Sequence, residues 1–421
     1  MKNFRRSLGI VFIVVLALFS FPACIKDHCK RTYTYQTYEP IYRTKDEVRA
    51  NIRSNPARDI SNPGKLFILG RYIFLNEVDK GIHVIDNTDP SHPLNFAFID
   101  IPGNLDIAVK GNTLYADLYS DLVTLDITNP SQVQLKKIIS NVFPYRAWGG
   151  NFSPDSGKII IDWKQKQVTE TYSCDGGYRK YLSDAQLFFS SAGPSSPSAS
   201  VSPIGKGGSM ARFALINDHL YTVSTTQLDV FNISNSNDPV EVNHLNIGWS
   251  IETIYPFKNK LFIGSQSGMF IYNVSVPYSP APDGQFSHVR VCDPVIADND
   301  YAYVTLRSGN SCQGYTNQLD ILDLRIFANP TLVKTYPMTN PHGLSKDGST
   351  LFICDGADGL KVYDATNPSN LQLLKRFEDV VTYDVIAFNH IALVVAKNGL
   401  YQYDYTDTRN IRLLSKIVVN N

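Results

Sequence analysis

Gly81-Ile82-His83-Val84-Ile85-Asp86-Asn87-Thr88-Asp89-Pro90 is an apolar run that ends in an acid and a polar turn stopped by proline. The chain repeats it as Leu122-Val123-Thr124-Leu125-Asp126-Ile127-Thr128-Asn129-Pro130, as Leu228-Asp229-Val230-Phe231-Asn232-Ile233-Ser234 and as Gly359-Leu360-Lys361-Val362-Tyr363-Asp364-Ala365-Thr366-Asn367-Pro368. Weaker copies lie at 269–275, 319–324 and 400–406. Recurrence at a fixed period marks a repeat architecture. The Asp or Asn anchors fall at 86, 126, 232, 273, 323, 364 and 404, in steps of 40, 106, 41, 50, 41 and 40 residues. The step of 106 predicts a degraded copy inside it, with Phe152 to Ile160 as its first hairpin. Residues 61–421 are therefore expected to hold eight units, or seven if the long step carries no blade of its own.

Within a unit, four short runs share one period: Asp106-Ile107-Ala108-Val109, Thr113-Leu114-Tyr115-Ala116, the anchor strand, and Val133 to Ile138. None has a helical period. Four strands per unit predict an all-β propeller with one four-stranded blade per repeat. Lys110-Gly111-Asn112, Asn217-Asp218, Asn299-Asp300 and Asp347-Gly348 supply turn residues that tolerate positive φ. The Asp-x-Thr-Asn-Pro ending suits a turn, because Asp and Thr side chains can bond nearby backbone N–H groups and proline stops the strand.

This repeat resembles the LVIVD-repeat family of β-propeller proteins, whose aliphatic run, Asp and Ser/Thr-Asn/Asp-Pro turn match 82–90, 122–130 and 360–368. The third unit departs from the pattern, since Val168-Thr169-Glu170-Thr171 lacks the anchor acid. The resemblance implies a propeller and, for members with a lipid-attachment cysteine, a cell-envelope lipoprotein of the Bacteroidetes type. It implies no activity.

Composition agrees with a folded β protein: 43% of residues are hydrophobic, with 24 Tyr and 22 Phe, and only 19% are charged. Disorder, a coiled coil and a multi-span membrane protein are excluded. Lysines and arginines number 39 and so do the acids, which argues against a nucleic-acid partner, since phosphate binding needs a basic excess.

Lys2, Arg5 and Arg6 precede an uncharged apolar run from Leu8 to Phe21, the layout of a secretory signal. The run is shorter than the ~18–20 residues that span a bilayer. Ala23 before Cys24 fits a lipoprotein cleavage site, with Phe21 in place of the usual small aliphatic residue. Residues 1–23 are thus expected to be removed and Cys24 acylated, anchoring a monomer in the cell envelope at the outer membrane. Residues 24–60 read as a tether. Residues 173–209, with the low-complexity run Ser190 to Ser200, read as a surface loop inserted in the propeller.

Cys292 and Cys312 flank the hairpin from Val295 to Leu306, whose ends return to one rim, so a disulfide is expected there. It would close a loop of 21 residues, worth ~3 kcal/mol in the chain-entropy account. Cys354 ends an apolar run and reads as buried, while Cys29 and Cys174 stay unassigned. No CxxC spacing and no cofactor fingerprint occur, so neither a metal nor a cofactor is expected. His219, His244, His288 and His390 read as surface residues near turns or strand ends. Asp355-Gly356-Ala357-Asp358-Gly359 looks like a fragment of a calcium loop but lacks the later ligands, and reads as the turn before an anchor strand.

Alignment on the first strand gives the most informative set. Asp106, Arg146, Arg212, Glu252, Asp293, His342 and Asp384 occupy corresponding positions just before it, and all are ionisable. Because the innermost strand borders the axial channel, these groups are expected to converge as a mixed-charge ring on one channel mouth. Two functions follow from it. A non-enzymatic envelope scaffold would bind a protein, peptide or glycan across a propeller face, whereas a hydrolase or lyase would work in the mouth. The first is favoured, because no nucleophile stands beside an orienting base in the ring.

Overall fold

The computed structural model describes residues 30–144, 146, 155, 157–173, 205–248, 250–287, 294–308 and 316–420. Among them, seven antiparallel sheets form the blades of a β-propeller. Blade 1 comprises Pro63–Leu69, Tyr72–Glu77, Gly81–Asp86 and Leu94–Asp100, and blade 2 comprises Ile107–Lys110, Thr113–Leu118, Asp121–Asp126 and Gln134–Ile139. Blade 3 runs through Phe213–Ile216, His219–Val223, Gln227–Asn232 and Val240–Asn246, and blade 4 through Ile251–Phe257, Lys260–Ser265, Gly268–Asn273 and Ala281–Ser287. Blade 5 is Val295–Ala297, Tyr301–Leu306, Gln318–Asp323 and Thr331–Pro337. Blade 6 is Leu344–Asp347, Thr350–Cys354, Leu360–Asp364 and Gln372–Phe377, and blade 7 is Thr382–Phe388, Ile391–Ala396, Gly399–Asp404 and Arg412–Val418.

Burial follows from stacking. A blade is covered by a neighbour on each side, so its second and third strands are apolar on both faces; Ile73, Phe74, Leu75, Ile82, Val84 and Ile85 of blade 1 are all fully buried. Fourth strands such as Val240–Asn246 face water and are mostly exposed. The anchor turn works as its residues predict in all seven blades. Asp86, Asp126, Asn232, Asn273, Asp323, Asp364 and Asp404 each accept the backbone N–H two residues on, at 2.8–2.9 Å. Every blade also carries a β-bulge between its third and fourth strands.

The described residues form seven blades, the smaller of the two expected numbers, because between the last strand of blade 2 and the first of blade 3 they add no further blade. Lys158–Ser173 is one long strand paired only with Lys30–Thr44, in a two-stranded ribbon. Near its start Ile159 and Ile161 pack against the cluster shared by blades 1 and 2, and beyond them the strand is mostly polar and exposed. By compactness the chain divides into two units, and the smaller includes 30–39 and 164–173. In that unit Thr32 meets Thr171 at 3.0 Å, Thr34 meets Thr169 at 3.1 Å and Lys166 pairs with Glu39 at 2.7 Å.

The larger unit holds the propeller and begins at Pro40. Residues 45–60, read from sequence as tether, are packed on it. The helix Lys45–Asn51 is opened by a capping box between Thr44 and Glu47 and buries Val48. Ile60 then makes a parallel bridge to Val419 and accepts from the Asn420 N–H at 2.8 Å. The ring closes there, with Asn87 and Gln402 exchanging amide hydrogen bonds and Leu66 and Ile68 sharing a core with Ile386 and Leu393. Blades 1 and 7 meet without exchanging a strand.

Candidate functional site

Five of the seven predicted mouth residues stand where the alignment puts them, at the start of an innermost strand: Asp106, Arg212, Glu252, His342 and Asp384. Asp293 lies outside the described residues, as do Cys24, Cys292 and Cys312. Arg146 is placed differently, because its unit is not a blade. Its guanidinium pairs with Asp79, donates to the Gly103 carbonyl at 3.0 Å and lies 4.9 Å over the Tyr119 ring.

The mouth is filled by the chain itself. Gly205–Gly207 adds a strand to the inner edge of blade 1, pairing with 67–69. The next residues cross to other blades: Ser209 accepts the Leu344 N–H of blade 6 at 2.8 Å, and the Arg212 N–H donates to Asp106 of blade 2 at 2.8 Å. Gly208 is required by space, since a Cβ there would stand 1.9 Å from Asp384 Oδ2.

Around this crossing the charges are matched. Lys65 and Asp106 are both fully buried, with Nζ and Oδ2 at 2.6 Å. Arg212 adds contacts of 3.5 Å to Asp106 and to Asp117. Asp117 Oδ1 also accepts from the Leu105 and Asp106 N–H groups at 2.8 and 2.7 Å and from Asn104 at 2.8 Å. Two cations thus face two buried carboxylates, as desolvated charges require, with Lys65 fully buried and Arg212 27% exposed. Burial holds the Lys65 ammonium down to about 8 even with Asp106 beside it, and pushes the Asp117 carboxyl up.

Asp384 is also buried, and burial raises it to about 8 although Val385, Lys65 and Ser209 pull the other way. Neither of its carboxyl oxygens makes a well-formed hydrogen bond among the described residues. His342 is likewise buried and lowered to about 3, first by desolvation and then by the nearby Arg307 charge. It stacks edge-on against Tyr383 at 5.7 Å. At neutral pH His342 is uncharged and Asp384 mostly protonated. Glu252 accepts from Gln266 at 3.1 Å.

Lys65 and Asp117 were missed by sequence reasoning. Lys65 belongs to blade 1, which the aligned set omits. Asp117 belongs to a second recurrent position, the end of the second strand. Glu77, Asp117 and Asp355 stand there in blades 1, 2 and 6, and each accepts two consecutive backbone N–H groups of the segment entering its blade. Asp355, the first acid of the calcium-like fragment, is engaged this way and pairs with Lys361 at 2.5 Å. Cys354 is fully buried, as read.

The opposite face carries an open pocket of about 500 Å³ between blades 5 and 6. The 298–300 and 348–349 turns and the 365–368 connection enclose it, with Tyr255, Tyr301, Tyr303 and Lys346 in its lining. Lys346 donates to Asp298 at 2.9 Å and to the Gly348 carbonyl at 2.7 Å, and its ammonium lies 5.6 Å over the Tyr303 ring. Asp298 further accepts from the Asp300 and Tyr301 N–H groups at 3.0 and 2.9 Å. These partners keep Asp298 ionised, their effect exceeding that of burial. Tyr255 is pushed up to about 12 by burial, so it stays a neutral phenol.

Blade 2 matches the LVIVD repeat. The match covers residues 104–140. Similar solved structures include the periplasmic gluconolactonase PpgL of Pseudomonas aeruginosa, 12% identical over 85% of this chain and 96% of that one, with a TM-score of 0.52. Sqt1 of Saccharomyces cerevisiae is 9% identical over 91% of this chain and 89% of its own, at 0.50. The computationally designed Ika8 protein is 9% identical over 86% and 88%, at 0.51. At these identities the likeness is one of fold. No curated protein matches the chain.

Proposed function

We propose that this chain is an exported, lipid-anchored propeller of the cell envelope, attached through Cys24 at the outer membrane, that binds its ligand as a monomer without transforming it. The observation that carries the non-catalytic reading is the state of the mouth. Lys65 and Arg212 pair with Asp106 and Asp117, and residues 205–212 cross it. Catalysis there would need a reachable base, and Asp384 is only 2% exposed.

The pocket between blades 5 and 6 is the ligand site in this reading, and among protein, peptide and glycan its chemistry favours a glycan. Tyrosine rings offer apolar faces to the C–H side of a sugar ring, while Asp298, Lys346 and the turn carbonyls offer fixed partners to hydroxyls. Isothermal titration of the full mature chain against a panel of mono- and oligosaccharides tests it. Saccharide binding that Tyr301→Ala abolishes supports the reading. Binding unchanged by that variant, or binding of peptides alone, overturns the glycan assignment, and turnover of any titrant overturns the non-catalytic one.

A further inference from the structure

On the outer half of blade 3, Asp229 sits in the third strand, and Glu241 and His244 in the fourth. Asp229 and His244 are direct cross-strand partners. Glu241 is three residues before His244, and in a regular strand side chains three apart point to opposite faces. The bulge at Val242 changes this. Asn243 pairs with Val230 and Glu241 with Phe231, so the extra residue brings Glu241 round to the side of His244. His244 Nδ1 then lies 2.5 Å from Asp229 Oδ1 and 3.9 Å from Glu241 Oε1, and the three donor atoms fall within 4.8 Å of one another.

We infer that Asp229, Glu241 and His244 form a zinc site, open to solvent at its fourth position. Bonds of about 2.1 Å in a tetrahedral array put donor atoms about 3.4 Å apart. The present separations of 2.5 and 3.9 Å lie on either side of that value, so small side-chain rotations complete the set. Asp229 supplies a buried anchor with 2% of its side chain exposed, and His244 and Glu241 supply reachable ligands at 49% and 45%.

The residues are specific to this blade although the geometry is general. The same three positions hold His83, Asn95 and Phe98 in blade 1, Val123, Leu135 and Ile138 in blade 2, and Phe270, Pro282 and Gln285 in blade 4. In blade 5 they hold Asp320, Leu332 and Thr335, in blade 6 Lys361, Leu373 and Arg376, and in blade 7 Tyr401, Leu413 and Lys416. Blade 5 shows how the fold satisfies a buried aspartate there without a metal: Asp320 accepts from Thr335 at 2.6 Å and from Gln318 at 2.9 Å. Asp229 is met instead by His244, the residue opposite it, on its first oxygen. Among the described residues its second oxygen is met by Thr222, at 3.5 Å. Zinc binds only a ring nitrogen that carries no proton, so uptake should weaken as pH falls.

The test is calorimetric titration of the full mature chain with ZnCl₂ alone, for the wild type, His244→Ala and Glu241→Gln, with cobalt(II) absorption as a second readout of tetrahedral coordination. One ion per chain is expected. His244→Ala should lose at least the roughly tenfold in affinity that loss of even an outer-shell partner costs, and the cobalt bands with it. Both variants alter half-exposed side chains at the blade edge, so unchanged circular dichroism is expected to show that they fold, and Glu241→Gln, which leaves the Asp229–His244 contact in place, should also keep the melting temperature. No uptake by the wild type, or zinc held equally by all three chains, overturns the proposal. The outcome is independent of the pocket between blades 5 and 6.

Discussion

Replacing Lys65 by Met removes the positive partner of a fully buried carboxylate, Asp106. In the variant, Asp106 keeps the Ile107 N–H at 3.0 Å, the Arg212 N–H at 2.8 Å and the Arg212 guanidinium at 3.5 Å. Removing one member of a buried ion pair costs about 3–5 kcal/mol, and the remaining Arg212 contacts place this loss near the lower bound, about 3 kcal/mol. Urea unfolding at pH 7, followed by intrinsic fluorescence, should show the midpoint falling with the slope unchanged. The double variant Lys65→Met, Asp106→Asn should recover much of the loss, because the stranded charge is then gone while the new side-chain amide oxygen still accepts the Arg212 N–H. A loss below about 1 kcal/mol, the range of solvent-exposed pairs, would refute the reasoning. Water would then reach Asp106, and the mouth would be an open site.

Three other outcomes follow from the same residues. Asp384 is raised to about 8, so its contribution is fully present below the unfolded value of 3.8 and is lost as pH rises toward 8; Asp384→Asn should flatten the decline of stability between pH 6.5 and 8 in urea midpoints. His342 is lowered to about 3, so its contribution is present above the unfolded value of 6.5 and lost as pH falls toward 3; the cost of His342→Gln should shrink by about 3 kcal/mol between pH 7.5 and pH 4.5, at about 1.36 kcal/mol per unit of pH below 6.5. Gly208→Ala drives a methyl into the Asp384 carboxyl and should lower the melting temperature by several degrees, and Asp384→Ala in the same chain should restore part of it.

The parts of the fold that were legible depend on local chemistry. The anchor acids at 86, 126, 232, 273, 323, 364 and 404 hold their turns through contacts two residues away, which a linear sequence displays directly. The blade count was less legible, because Lys158–Ser173 has strand character whether it joins a blade or a ribbon, and its partner, Lys30–Thr44, is more than a hundred residues away. The mouth was half legible. Repeat alignment located Asp106, Arg212, Glu252, His342 and Asp384, but it could not show that 205–212 returns to cross the channel or that Lys65 faces Asp106. The cluster in blade 3 was hidden by a bulge. Without it, Glu241 and His244 belong to opposite faces, and His244 reads as one more surface histidine.

The central claim is that the channel mouth is closed by residues 205–212 and held by buried, mutually neutralised charges. Hydrogen–deuterium exchange of the full mature chain, read on peptides spanning 205–212, measures this most directly. The account predicts protection comparable with that of the innermost strands, including Leu344, whose N–H donates to Ser209, with exchange over hours. Exchange of 205–212 complete within seconds, beside protected strands, would contradict it and return the mouth to the candidates for a ligand site.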